Sequence, residues 1–152
     1  MKFVAKKDVE IPQQVLFDRM ADFQLFERVA IRRGVEVIRT GSMASAGGLK
    51  WDCKFEYRGR DRNARVQVAE FTTPERLVFL VTNAALNLRL DITLSPLSKK
   101  QSRFIVTSVI EPKTVTARLL VQSMKLARSK YNQRYQKRVA EVANELVALG
   151  PT

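Results

Sequence analysis

The sequence has no histidine and only one cysteine, Cys53, among its 152 residues. Without histidine, the commonest general base of enzymes is missing, and so is every catalytic triad that uses His. A structural zinc site draws its ligands from several Cys and His side chains, so we expect no metal site here and no other cofactor. A single cysteine also excludes an intrachain disulfide.

Long hydrophobic runs are absent as well. No segment approaches the roughly 18 apolar residues of a transmembrane helix, and the charged N-terminal segment MKFVAKKDVEIPQQ lacks the apolar core of a secretory signal. These absences predict a cytoplasmic protein, and the length predicts one domain spanning residues 1–152.

Positive charge is the feature present in excess. The chain has 27 Lys and Arg against 15 Asp and Glu, a formal net charge of +12. This excess favours an anionic partner, which can be nucleic acid, an anionic membrane or an acidic small molecule. Nucleic acid is the least favoured, because the positive residues are spread evenly along the chain and no nucleic-acid-binding motif is present.

Hydrophobic periodicity divides the chain into an N-terminal part, a strand-rich middle and a helical end. Residues 2–10 are typical of a strand, and 13–20 and 22–31 of two short helices, the second with Asp22 as N-cap. About six antiparallel strands follow, because short alternating runs succeed each other without intervening helices. The segments SMASAGG (42–48) and RGRDRN (58–63) are predicted loops between strands.

Two of these strands alternate strictly, which identifies the side chains on their apolar faces. In WDCKFEYR the apolar face carries Trp51, Cys53, Phe55 and Tyr57. In LNLRLDITL the apolar face includes Leu88, Leu90 and Ile92.

Residues 115–148 contain no Pro or Gly and follow a candidate cap, Thr114, while Gly150-Pro151 supplies the stop. They predict one helix of roughly 34 residues, about 50 Å long. An apolar stripe runs along it, made of Ala117, Leu120, Val121, Met124, Tyr131, Tyr135, Val139, Val142 and Leu146.

Arg128 falls inside this stripe, whereas the other basic residues of KLARSKYNQRYQKR (125–138) fall on its edges or on the opposite side. A buried guanidinium needs a partner. Three arrangements stay open. Arg128 can pair with a carboxylate such as Glu56, Glu70 or Asp91, extend to the edge of the helix, or hold the anionic group of a ligand.

The predicted order of strand, two helices, antiparallel strands and a long C-terminal helix is α+β. It resembles the helix-grip fold of the START, pollen-allergen and polyketide-cyclase superfamily, known as SRPBCC. The local segments IPQQVLFDRMADF (11–23) and PERLVF (74–79) are also similar to segments of that group. The resemblance implies a curved sheet of six to seven strands around the C-terminal helix.

The resemblance also implies an apolar pocket between the sheet and that helix. The inward candidates are Trp51, Cys53, Phe55, Tyr57, Leu88, Leu90, Ile92, Met124, Arg128, Tyr131 and Tyr135. Plain core packing is the competing interpretation for each apolar member.

We therefore expect binding or transport of a hydrophobic small molecule or lipid, neutral or anionic. One alternative is a cyclase or dehydratase, with tyrosines as acid–base groups and Arg128 stabilising an enolate. It is weakened because no histidine exists and no carboxylate falls clearly on an inward face. The other alternative is a basic protein that binds nucleic acid or contacts an anionic membrane.

Overall fold

The computed structural model describes residues 1–44 and 48–149. Within these residues the chain forms one seven-stranded antiparallel sheet and four helices, which confirms the predicted α+β helix-grip architecture. The elements are β1 (Lys2–Val9), α1 (Gln13–Met20), α2 (Phe23–Arg32), β2 (Glu36–Thr40), β3 (Lys50–Tyr57), β4 (Arg60–Thr72), β5 (Arg76–Thr82), β6 (Leu86–Pro96), β7 (Ser102–Pro112), α3 (Val115–Leu126) and α4 (Arg128–Ala148). The strand order is β1-β7-β6-β5-β4-β3-β2.

Helices α2 and α3 each begin at a capping side chain that was predicted from the sequence. The Asp22 side chain accepts a hydrogen bond from the Leu25 amide at 3.1 Å, so it caps α2 as predicted. Thr114 caps α3 in the same way through the Ala117 amide, also at 3.1 Å. Each cap satisfies one of the amides that a helix leaves unpaired in its first turn.

The β3–β4 hairpin is tighter than the predicted turn over 58–63. Only Arg58 and Gly59 form the turn, with φ of 53° and 73°, and Arg60 already pairs with Tyr57. Two positive φ values match the twist of a two-residue hairpin, and glycine adopts this conformation without steric cost. The polar segment 60–63 therefore belongs to β4.

The prediction of one continuous C-terminal helix is wrong, because the helix breaks at Ala127 with φ −112° and ψ 33°. The parts on either side pack on different strands, α3 on β7 and α4 mainly on β1. The predicted stop at Gly150-Pro151 and residues 45–47 of the predicted 42–48 loop lie outside the described residues.

The packed core occupies the half of the concave face where α1 lies. It is made of residues from strands β1 and β3 to β7 together with α1 and α4. Its buried members are Ala5, Val9, Leu16, Phe17, Leu49, Trp51, Cys53, Val68, Leu77, Ile92, Leu94, Phe104, Val106, Val139 and Ala143. Beyond them, the inner face of the sheet continues toward the other end of the strands.

Candidate ligand-binding surface

The end of the sheet away from α1 is built from three chain segments. The β3–β4 turn lies there, as do the β5–β6 connection and the passage from β7 into α3. Backbone hydrogen bonds tie two of these segments together, since Lys113 N donates to Ala85 O at 2.8 Å. Met1 joins them through its amino group, which donates to Ile110 O at 2.9 Å. We call this part of the molecule the open end.

At the open end, the inner face of the sheet stays apolar but is only half-buried. The cross-strand pairs Val81–Leu88 and Leu88–Ile110 continue the inward face defined by the buried core residues. Directly opposed residues of an antiparallel sheet project to the same side, so these side chains form one surface. The open-end surface consists of Phe55, Val81, Leu86, Leu88 and Ile110, with Met124 and Tyr131 of the helices.

The inner faces of helices α3 and α4 border this surface. Ala117 and Val121 are buried and attach α3 to the sheet, while Met124, on the same side of α3, is half-buried. Tyr131 and Tyr135 are one helical turn apart and share one side of α4. The break at Ala127 thus lies between two segments that both contribute to the border.

Tyr135 lies at the boundary between the packed core and the open-end surface. Its hydroxyl is 2.8 Å from Ser108 Oγ and donates to Val106 O at 3.2 Å, and its ring packs against Phe3 at 5.3 Å. Burial raises the pKa of Tyr135, although the hydrogen bond with Ser108 opposes the shift. The phenol is therefore protonated at neutral pH. It can donate a hydrogen bond but cannot serve as a base.

Three of the predicted site residues lie in the packed core. Trp51 is fully buried and its ring is covered by Phe23 and Phe26 of α2, each at 5.3 Å. Cys53 is buried, and this burial, followed by the nearby Asp52 charge, raises the pKa of its thiol. With Ile92, these residues belong to the packed half of the same inner face, next to the open-end surface. Leu90 is half-buried and packs against the same core.

Tyr57 lies at the rim, because it follows Phe55 at the end of β3 and is 54% exposed. The Arg58 and Arg62 guanidiniums lie 5.3 and 5.7 Å from its ring centroid, within cation–π range. Register places Arg62 opposite Phe55, on the inward side of the hairpin. A positive charge thus lies beside the apolar surface.

Arg128 does not point inward, and the structure corrects that expectation. Its side chain is exposed and donates to Lys2 O at 3.0 Å, while Gln136 donates to Val4 O at 2.6 Å. These carbonyls face away from β7, because β1 is the edge strand of the sheet. The break makes Arg128 the first residue of α4, at the margin of the sheet, where its long side chain satisfies an unpaired edge carbonyl instead of lining a pocket.

Comparison with known proteins adds to this geometry. No family model and no curated protein matches the sequence. Solved structures match over nearly the whole chain. A protein from Thermus thermophilus has a TM-score of 0.66 at 10% identity, covering 99% of this chain and all of that one.

Ara h 8.0201 has a TM-score of 0.64 at 9% identity, covering 97% and 98% of the two chains. The Zhui aromatase/cyclase from Streptomyces sp. R1128 reaches 0.60 at 12% identity, covering 100% and 99%. The chain has the helix-grip fold. Identities this low establish the fold alone, so function must be argued from the site.

In this helix-grip chain, other depressions lie outside the concave face. One of about 500 Å³ follows a convex row that includes Ile38, Asp52, Arg65 and Thr82. An apolar groove of about 230 Å³ lies between α1, α2 and the end of α4. The convex depression is open and bordered by the charged side chains of Asp52, Lys54 and Arg65, which do not suit an apolar ligand.

The described residues contain no group of three or more Cys, Asp or Glu arranged to hold a metal ion. Within 1–44 and 48–149, no helix has the length and apolar character needed to cross a membrane.

The sequence did not single out Val81, Leu86 and Ile110 as ligand contacts. The alternation of RLVFLVT and RFIVTSVI could have identified Val81 and Ile110 once the strand register was known.

Proposed function

We propose that the protein binds a hydrophobic small molecule or lipid on the open-end surface, between the sheet and the inner sides of α3 and α4. The observation that carries the proposal is the continuation of the apolar inner face beyond the packed core. There, Phe55, Leu88 and Met124 keep part of their surface accessible although they face inward. A fully packed domain of this size would have closed that space with its own side chains.

The hydrophobic effect favours a ligand at this position. Removing apolar surface from water contributes roughly 25 cal/mol per Å², and the concave shape lets one ligand cover several side chains at once. Tyr135 adds one hydroxyl at the inner boundary, where its protonated phenol can exchange the Val106 contact for a ligand oxygen. Such a mixture of apolar lining and few polar groups is typical of small-molecule sites.

The basic rim favours a ligand with an anionic group. Arg62 lies beside Phe55 on the inward side, and the whole chain carries a net charge of +12. We place the anionic group at Tyr57 and Arg62 and the apolar part along Leu88 and Ile110. The residues of the surface are apolar or phenolic, which favours holding a ligand over transforming it. We include an anionic membrane among the partners, as the source of such a ligand.

A titration with fluorescent apolar probes tests this function. Wild type is titrated with one neutral and one anionic probe, alongside Leu88→Gln at the centre of the surface. Ile38→Gln, on the convex face of β2 where Ile38 is 48% exposed, is the matched control. We expect saturable binding, weaker by about tenfold in Leu88→Gln, since an apolar contact becomes a buried amide.

The control should bind both probes as wild type does. If neither probe saturates in wild type, the surface does not hold a ligand. If the two variants lose affinity equally, the probes bind elsewhere. Either result overturns the proposal.

A further inference from the structure

Helix α3 carries an outer apolar stripe that the fold does not use. Its inner side attaches the helix through buried Ala117 and Val121. The outer stripe consists of Val115, Leu119 and Leu126, which are 70%, 60% and 93% exposed. Spacings of four and seven residues place these three side chains within about 40° of each other on a helix. They therefore form a line along α3 that faces away from the protein, with the exposed Gln122 between Leu119 and Leu126.

This alignment distinguishes the outer stripe from ordinary surface exposure. Single exposed apolar residues are common and need no explanation, whereas several large apolar side chains clustered on one helix face mark an interaction surface. Leu120, at 58% exposure, widens the row on one side. The tertiary support of the helix comes mainly from β7 and the beginning of α4, which lie on its inner side. Its outer side is accordingly accessible to a partner.

Positive charge borders one flank of the outer stripe. Arg118 and Lys125, seven residues apart, form a parallel exposed row on its flank. Residues 112–140 contain eight Lys and Arg and no Asp or Glu. An apolar row flanked by basic side chains is the composition of helices that lie in the interface of an anionic bilayer.

We propose that α3 docks flat on an anionic lipid bilayer, with the outer stripe inserted among the acyl chains and with Arg118 and Lys125 on the lipid phosphates. The inner side of α3 borders the open-end surface through Met124, so docking would place that surface next to the membrane. The docking itself does not depend on ligand binding, because it uses the opposite side of the helix.

Charge and area argue against a second copy of the chain as the occupant. Two copies meeting antiparallel through α3 would bring their rows of Arg118 and Lys125 together, and like charges oppose such an association. The outer stripe offers three side chains and a fourth beside it, whereas a stable interface buries about 800 Å² per partner. A nucleic acid would be attracted by the charge but would leave the leucines in contact with water or phosphate.

Vesicle flotation tests the proposal with the intact protein. The probes are phosphatidylcholine vesicles with and without phosphatidylserine, at low and physiological salt. One variant, Leu119→Ser with Leu126→Ser, removes the stripe and keeps the charge. A second, Arg118→Gln with Lys125→Gln, keeps the stripe and removes its flanking charge. Lys99→Gln with Lys100→Gln, in the exposed β6–β7 loop, is the matched charge control.

We expect wild type to bind only the vesicles that contain phosphatidylserine. Each α3 variant should bind them at least about tenfold more weakly, and the loop control should bind nearly as wild type. All α3 substitutions are on exposed positions, and unchanged thermal unfolding will verify that each variant is folded.

Three outcomes overturn the proposal. If the wild-type protein does not bind anionic vesicles at low salt, it has no docking surface for them. Equal losses in the loop control and the α3 charge variant mean that binding reflects net charge alone. A wild-type dimer in light scattering that becomes monomeric in the leucine variant means that the stripe is a protein interface.

Discussion

The phenolic oxygen of Tyr135 lies 2.8 Å from the hydroxyl oxygen of Ser108, so α4 is joined to the inner face of β7 by a partly buried polar contact. Ser108 is 6% exposed, which leaves water little access to the pair. The contact lies at the boundary between the packed core and the open-end surface. It fixes the position of α4 over the sheet while keeping a hydrogen-bonding group next to the space where we place the ligand.

Tyr135→Phe should lower the free energy of unfolding by about 1 kcal/mol, the usual net contribution of an intramolecular hydrogen bond. The aromatic packing against Phe3 is retained, so the loss reports the hydroxyl alone. Urea denaturation measures the change. Tyr131→Phe is the control. The Tyr131 ring contacts the Arg134 guanidinium, and this contact remains when the hydroxyl is removed. Equal losses in both variants would contradict the role assigned to the Tyr135 hydroxyl.

The Cys53 thiol should react slowly with disulfide reagents in the native protein. Burial raises its pKa, so the reactive thiolate is scarce at neutral pH, and the inner face restricts access. A colorimetric thiol assay should show full reaction only after denaturation. Rapid stoichiometric labelling of the folded protein would show that Cys53 is accessible and belongs to the ligand surface rather than to the packed core.

Asp91→Asn should lower stability at neutral pH by about 1 kcal/mol, a value discounted for the partial exposure of the pair. The Arg76 guanidinium hydrogen-bonds Asp91, with Nε to Oδ1 at 3.1 Å, and this bond lowers the pKa of Asp91. A carboxyl with a lowered folded-state pKa contributes its full stability above its unfolded pKa and loses it as the pH falls through the folded value.

The difference between wild type and Asp91→Asn should therefore shrink as the medium is acidified below about pH 4. Denaturation at a series of pH values measures it. Arg76 keeps Glu70 at 3.3 Å in the variant, so the guanidinium is not left without a partner. A difference that persists unchanged in acid would mean that packing, rather than the ion pair, is responsible.

Arg62→Gln should weaken binding of an anionic probe severalfold and leave a neutral probe unaffected, because the Arg62 charge lies beside the apolar surface. Arg128→Ala should not change this selectivity, since its guanidinium faces Lys2 O on the outside. Probe titrations of both variants measure the two effects. Loss of anionic preference in Arg128→Ala alone would restore the inward orientation expected from the sequence.

The fold followed from the sequence because its signals are local. Helix α1 begins and ends as predicted at Gln13 and Met20, and Asp22 caps α2 through its own side chain. Strict alternation in β3 and β6 fixed which residues face inward before any pairing was known. These features depend on neighbours a few residues apart along the chain.

The arrangement of the C-terminal segment could not be predicted in the same way. A helical wheel assumes one continuous helix, and nothing in the composition at Ala127 indicates the break. On either side of the break, α3 packs on β7 and α4 mainly on β1, and these are contacts between segments distant along the chain. Arg128 lies at the edge of β1, and Leu120, predicted to be buried, is 58% exposed.

The sequence also could not predict which inward residues belong to the packed core and which belong to the open-end surface. Trp51 and Phe55 alternate along one strand with the same apolar character, yet α2 covers the first and leaves the second half-buried. Only the three-dimensional position of a helix distinguishes them. Sequence alternation therefore predicted which side chains face inward, and the structure was needed to find which of them stay accessible.

Methyl-resolved NMR with a bound apolar probe tests the central claim most directly, since it locates the ligand on named side chains. We predict that saturating probe shifts the methyl signals of Val81, Leu88 and Ile110 on the open-end surface. The methyl signals of Leu119 and Leu126 on the outer side of α3 should stay in place. Shifts confined to α3, or no saturable shift at all, would contradict a ligand-binding surface inside the grip.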